Sequence, residues 1–171
     1  DIPEGATHGI VLDRTCFYPE GGGQEGDHGS LTCDSASNVI LDSRKVDDLV
    51  IHLSTGPFEV GDMVHGELDW GRRRQLMDHH TAVHIVGGAA RRLLGPHIYQ
   101  AGANKSVDSA RLDITHHKRL SRQDLDEIES LANEVIQKVS RTEKMTLDRK
   151  DADRKYGFDL YQGGAPKGSD I

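Results

Sequence analysis

Residues 63–95, MVHGELDWGRRRQLMDHHTAVHIVGGAARRLLG, hold the change of period on which the fold turns. Up to Asp69 the chain runs as short alternating or apolar segments. From Trp70 the apolar positions Leu76, Val83, Val86, Ala90 and Leu93 recur at helical spacing. This predicts a helix over 72–94, stopped by Gly95-Pro96, because proline cannot continue a helix and glycine accepts the conformation that ends one. Gly87 and Gly88 weaken such a helix unless another backbone packs closely there.

Upstream, the runs at 9–13, 29–33, 38–41, 49–53 and 63–69 read as strands, separated by turn signals such as 54–57 and Gly61-Asp62. Short strands at this spacing predict a small barrel or sandwich. Downstream, strand-like segments at 97–103 and 110–115 precede a helix opened by Ser121, with Asp124 three places on as in a capping box. Leu125, Ile128, Leu131, Ala132, Val135, Ile136 and Val139 lie on one face of that helix. A shorter helix over 148–156 ends at Gly157, and 158–162 reads as a further strand. The fold class is therefore α+β: a β-barrel-like module over residues 1–70, then an α+β module over 71–171.

The chain has 171 residues and a net charge of −7. That length suffices for one domain or two small ones. No apolar run approaches the ~18 residues of a membrane span, so no membrane partner is expected. An acidic total counts against nucleic acid, but it hides an asymmetry. Residues 1–70 carry three basic side chains against fourteen acidic, and residues 71–171 carry eighteen against fourteen. Only the second half is a plausible binder of phosphate. Arg72, Arg73, Arg74, Arg91, Arg92, Lys105 and Lys118 are the candidates there. Cys16 and Cys33 form no CxxC pair, the usage of a reducing compartment, which makes the expected location cytoplasmic. The first residue is Asp1 rather than Met, which points to a segment of a longer chain.

Two features carry chemistry. In the stretch 18–27, Gly21, Gly22 and Gly23 permit positive φ and close backbone approach to a ligand, or simply a hairpin turn. On a helix, His80 and His84 stand at i, i+4 and project from one face, as two ligands of one zinc commonly do. Solvated or core histidines are the plainer alternative for that pair. No glutamate lies between them, so a metalloprotease reading fails. Further ligands are needed: Cys16 is one candidate, although Thr15 and Cys16 face opposite sides of an extended strand. His116-His117, beside Lys118-Arg119, reads as a solvated turn, and His79 as a solvated neighbour of the pair.

Residues 15–24 (TCFYPEGGGQ), followed by Asp27-His28-Gly29, resemble the glycine-rich motif of the alanyl-tRNA synthetase editing domain. Residues 80–84 resemble that family's first zinc motif, and 94–102 and 112–116 also follow its pattern. Residues 156–164 resemble its archaeal branch. The resemblance covers nearly the whole chain in order. It implies a second module similar to the threonyl-tRNA synthetase editing domain, and hydrolysis of mischarged seryl- or glycyl-tRNA(Ala). By resemblance, Thr15 selects serine by hydrogen bonding, Gln24 lines the pocket, and His80 and His84 bind zinc. Gly21, Gly22, Gly23, Arg72, Arg73 and Arg74 are then expected to contact the substrate.

The implied partners are the acceptor end of tRNA(Ala) and the rest of a parent synthetase in cis. ATP-dependent aminoacylation would belong to that parent. The site is expected at the junction of the two modules. The family's second zinc motif, a CxxxH, does not occur in these residues, leaving two of four expected ligands. The alternatives are a free-standing trans-editing deacylase and a non-catalytic tRNA-binding fragment. Oligomeric state is left open.

Overall fold

The computed structural model describes residues 2–138, 143 and 145–160. Five strands come first: β1 (His8–Val11), β2 (Gly29–Thr32), β3 (Ser37–Val46), β4 (Leu49–Ser54) and β5 (His65–Leu68). They form one antiparallel sheet in the order β1-β4-β3-β2-β5. Among the described ladders none joins β1 to β5, so the sheet is open where a barrel-like module was expected. Then come α1 (Trp70–Leu94), β6 (Gln100–Lys105), β7 (Ala110–Ile114), α2 (Arg122–Lys138) and α3 (Arg149–Tyr156). The expected strand at 158–162 is not found: Gly157–Leu160 form a 3-10 turn, and residues 161 and 162 lie outside the described residues.

The chain divides into two compact units, Asp1–Thr81 with Asn104–Ala110, and Ala82–Ala103 with Arg111–Ile171. The division falls within α1, eleven residues past the change of period, and the tip of the β6–β7 hairpin belongs with the first unit.

In the first unit, Phe17, Leu31 and Ile40 form a buried core, flanked by Ile10, Leu12, Phe58, Val64 and Leu68. Burying each such side chain contributes about 1.5–3 kcal/mol. A bulge between Ile40 and Asp42 inserts Leu41 into β3. The extra residue resets the strand's alternation, so that Ile40 and Ser43 both face inward. Asp47-Asp48 closes the β3–β4 hairpin, with Asp47 at φ 52°, a conformation aspartate tolerates. Gly29 is required where β2 meets β5, because a Cβ there would lie 2.1 Å from the Glu67 carbonyl oxygen.

Helix α1 starts where it does because the Asp69 carboxylate accepts the Arg72 N–H at 3.0 Å. Arg91 and Arg92 in its last turn complement the helix dipole. Leu76, Val83, Ala89 and Ala90 are its buried positions, whereas Val86 and Leu93, expected on the apolar face, are exposed. In the second unit, Ala89, Ala90, Ile98, Ile128 and Ala132 make the core. Residues of α1 and α2 therefore share one buried cluster. Ser121 and Asp124 form the expected cap of α2: Asp124 Oδ2 accepts from the Ser121 N–H and hydroxyl, each at 2.7 Å. Of the apolar stripe of α2, Ile128 and Ala132 are buried, but Leu125 and Ile136 are exposed, and Val139 lies outside the described residues.

Candidate functional site

The glycine-rich segment is an ordered hairpin. Gly21 and Gln24 exchange both backbone hydrogen bonds, at 3.1 and 3.0 Å, around Gly22 and Gly23. Their φ values are 59° and 73°, positive at both central positions as in a type I′ turn. A side chain at either would strain the turn. The hairpin is anchored from outside as well. The Lys105 N–H donates to the Gly23 carbonyl, and the Glu25 N–H donates to the Lys105 carbonyl at 3.1 Å. Lys105 Nζ donates to the Gly22 carbonyl at 2.6 Å. Lys105 is therefore not the phosphate contact that its charge predicted: it is 1% exposed, and burial lowers its pKa.

The base of the segment is tied by charge. Asp27, 1% exposed, accepts the Tyr18 N–H at 2.6 Å and a forked pair from Arg73, with Nε at 2.8 and 2.9 Å from its two oxygens. Arg73 also donates to the Cys16 carbonyl at 2.9 Å. The hydrogen bond to Asp27 is the leading cause of a raised Arg73 pKa, so this guanidinium stays charged. Arg72 pairs with Glu25 at 2.7 Å and donates to the Gly26 carbonyl. Arg74 pairs with Asp78 one helical turn on, at 3.1 Å, and both side chains are more than half exposed. Arg72 and Arg73 thus brace the glycine-rich segment, whereas Arg74 faces solvent.

Gln24 is buried, and its Oε1 lies 2.8 Å from His80 Nδ1. The glutamine of the loop and the first histidine of the HxxxH stretch, 56 positions apart in sequence, are therefore partners. With the Gln24 oxygen as acceptor, Nδ1 carries the proton and Nε2 the lone pair. Metal-binding histidines are commonly oriented by such a bond on their other nitrogen. On this observation His80 fits the zinc ion implied by resemblance. His84 follows one turn along α1 and is exposed. His79 is not the solvated neighbour expected: its Nδ1 is 2.8 Å from the Ser106 carbonyl and its Nε2 is 2.8 Å from Gln75 Nε2.

Thr15 has different partners. Its hydroxyl is 2.7 Å from His52 Nε2 and accepts the Phe17 N–H at 3.0 Å. His52 Nδ1 lies 2.9 Å from the Ile10 carbonyl, so Nδ1 donates and Nε2 accepts from the Thr15 hydroxyl. Thr15 and Cys16 line a cleft of about 440 Å³ with Val11, Leu12, Asp13 and Gly66. That volume suffices for a small ligand. His52 was missed in the sequence because no motif surrounds it. The available signal was its place in β4: it shares the inward face with Ser54, and both are fully buried.

Burial holds His52 below the ordinary imidazole value of 6.5. On acidification the unfolded chain therefore takes up that proton first. Stability is complete above about pH 6.5 and declines as pH falls through that value, by up to about 1.4 kcal/mol per pH unit for this group. His28, also lowered chiefly by burial, adds in the same sense. Thermal melts between about pH 7.5 and about pH 5.5 test this, and His52→Gln should flatten the dependence.

The first 72 residues match the family model described as tRNA synthetases class II (A). Over 162 residues, 95% of the chain, the sequence is 49% identical to the alanine–tRNA ligase of Haloquadratum walsbyi. It is 50% identical over 164 residues to that of Methanopyrus kandleri and 48% over 161 residues to that of Pyrococcus furiosus. The chain is related to a segment of the archaeal alanine–tRNA ligases. It spans about 18% of the length of these relatives. Among the described residues no helix is long and apolar enough to cross a membrane.

Proposed function

We propose that the chain is the editing part of an alanine–tRNA ligase, which hydrolyses the ester of seryl- or glycyl-tRNA(Ala). The observation that carries this reading is the Gln24–His80 hydrogen bond. It joins the two motifs of the editing-domain resemblance on a hairpin anchored by Lys105, Arg72 and Arg73. The second module is read as similar to the threonyl-tRNA synthetase editing domain.

Editing answers a limit of size selection. A pocket made for alanine cannot exclude glycine by bulk, and it rejects an added hydroxyl poorly. Here the Thr15 hydroxyl uses its one proton on His52 and one lone pair on the Phe17 N–H. The remaining lone pair can accept a proton from a serine side chain, a contact that alanine lacks. Gln24 holds His80 by Nδ1, which presents Nε2 as a ligand nitrogen. His80 and His84 would hold zinc, as two of the four ligands that the resemblance implies. When bound, zinc anchors the aminoacyl end or polarises the ester carbonyl and the attacking water. Water adds to the carbonyl carbon, the bond to the tRNA ribose oxygen breaks, and that oxygen leaves as a hydroxyl with a proton from the water.

Of the three arginines expected at the substrate, Arg74 is the proposed phosphate contact, since its exposed partner exchanges easily for another anion. Arg72 and Arg73 act by holding Gly21, Gly22, Gly23 and Gln24 in place. The expected setting is cytoplasmic, consistent with two free cysteines, Cys16 and Cys33.

Deacylation of seryl-tRNA(Ala) by the intact ligase tests the activity, with His80→Ala as the informative variant. Lower zinc content by elemental analysis, together with lost deacylation and retained aminoacylation, is the expected result. Full zinc and full deacylation in His80→Ala would remove His80 from the site. Salt-sensitive tRNA binding by the chain without turnover by the intact ligase would favour the binding-fragment reading instead.

A further inference from the structure

A histidine cluster in the second unit plays no part in the reaction above. His97, His116 and His117 each bring a ring nitrogen to within 4.8 Å of the others. His97 follows the turn that ends α1, and the other two follow β7. Their rings form one group: His97 and His116 are stacked with centroids 5.1 Å apart, and His117 lies 4.8 Å from His116 and 5.5 Å from His97. His97 Nε2 and His116 Nδ1 face each other at 2.9 Å.

The backbone under this group is pinned. The Thr115 N–H donates to the Tyr99 carbonyl at 2.9 Å. The Thr115 hydroxyl donates to the His97 carbonyl at 2.7 Å and accepts the Tyr99 N–H at 2.8 Å. Thr115 therefore fixes the segment after β7 that carries His116 and His117 against the segment carrying His97, before any ligand arrives. Preorganisation of this kind reduces the ordering cost of binding.

The donor chemistry is specific. Two neutral imidazoles whose nitrogens meet at hydrogen-bond distance share one proton, and a cation can replace it, accepting a lone pair from each. The third imidazole adds a ligand from the side. Besides the His117 and His97 rings, Asp124 and Lys118 are the charged groups that act on His116. Asp124 is committed to the Ser121 cap, so the imidazoles make up the donor set. All-nitrogen sets suit zinc, copper and nickel, whereas magnesium and calcium require oxygen. His97 and His117 are exposed and His116 is half-buried, which leaves water free to complete the coordination.

We propose that His97, His116 and His117 form a surface site for a late first-row divalent cation, typified by zinc. This set is different from the His80–His84 pair and does not depend on the editing reading. Bound metal clamps the end of α1 to the end of β7, and so stabilises the second unit by mass action.

The test is calorimetric titration of the full chain with zinc chloride, beside the variants His116→Gln and His117→Gln and the double variant His80→Ala/His84→Ala. Circular dichroism before metal addition checks that each is folded, and exposed His117 is the substitution least able to disturb the core. The proposal expects a binding event that persists in the double variant. It also expects affinity to fall more than about tenfold in each glutamine variant, since even an outer partner of a ligand is worth that much. The zinc-dependent rise in melting temperature should fall with it. Zinc binding that is unchanged in both glutamine variants, or abolished by the double variant alone, overturns the assignment.

Discussion

Asp27→Ala is expected to destabilise the chain by about 3 kcal/mol, the lower end of what removing one partner from a buried ion pair costs. Asp27 is 1% exposed, and its two oxygens receive the Arg73 fork and the Tyr18 N–H. Alanine leaves a guanidinium and a backbone donor without their acceptor in a site that water reaches poorly. The loss falls at the lower end because the Arg73 side chain keeps 18% exposure and can be partly rehydrated. Tyr18 and Asp27 also close the base of the glycine-rich segment through the Asp27 N–H to the Tyr18 carbonyl. Local opening around Gln24 should therefore accompany the global loss. Urea unfolding measures the first effect, and amide exchange at residues 20–25 the second. A loss under about 1 kcal/mol would place the pair with exposed salt bridges and remove its bracing role.

The second large effect is on selectivity. Thr15→Val in the intact ligase should narrow the preference for seryl- over alanyl-tRNA(Ala) by about tenfold to a hundredfold, the worth of a hydrogen bond whose loss leaves a polar group unpaired. Valine keeps the shape of threonine and removes the hydroxyl, so the fold should hold. Valine also strips the acceptor from the Phe17 N–H and the donor from His52, so a modest drop in melting temperature should accompany the change. Relative rates on the two charged tRNAs, measured side by side, are the readout. Unchanged relative rates would take Thr15 out of the selection.

Much of this was legible in the sequence because the signals are local. Helix α1 was expected over 72–94 and is found at Trp70–Leu94, since apolar spacing and the Gly95-Pro96 stop act within a few turns. The Ser121–Asp124 cap of α2 was read for the same reason. The placing of apolar residues around each helix was less legible: Val86, Leu93, Leu125 and Ile136 are at core spacing but exposed. Spacing specifies which residues share a face, and only packing decides which part of that face is covered. The β3 bulge at Leu41 is a further case, because a single inserted residue reverses the alternation on which inward and outward assignments rest.

The sequence by itself determined the order and type of the elements from β1 to α3, the glycine turn, the His80–His84 spacing and the relation to archaeal alanine–tRNA ligases. These depend on neighbours a few positions apart or on residues matched along the chain. The tertiary structure alone decided that the sheet stays open, that Gln24 meets His80, and that Thr15 is served by His52. It alone decided that Lys105 is buried beneath the hairpin, and that His116-His117, read as a solvated turn, gathers with His97. Each of these joins residues far apart in sequence. Such contacts form only when burial and backbone hydrogen bonding bring distant segments together, and no periodicity within one segment encodes them.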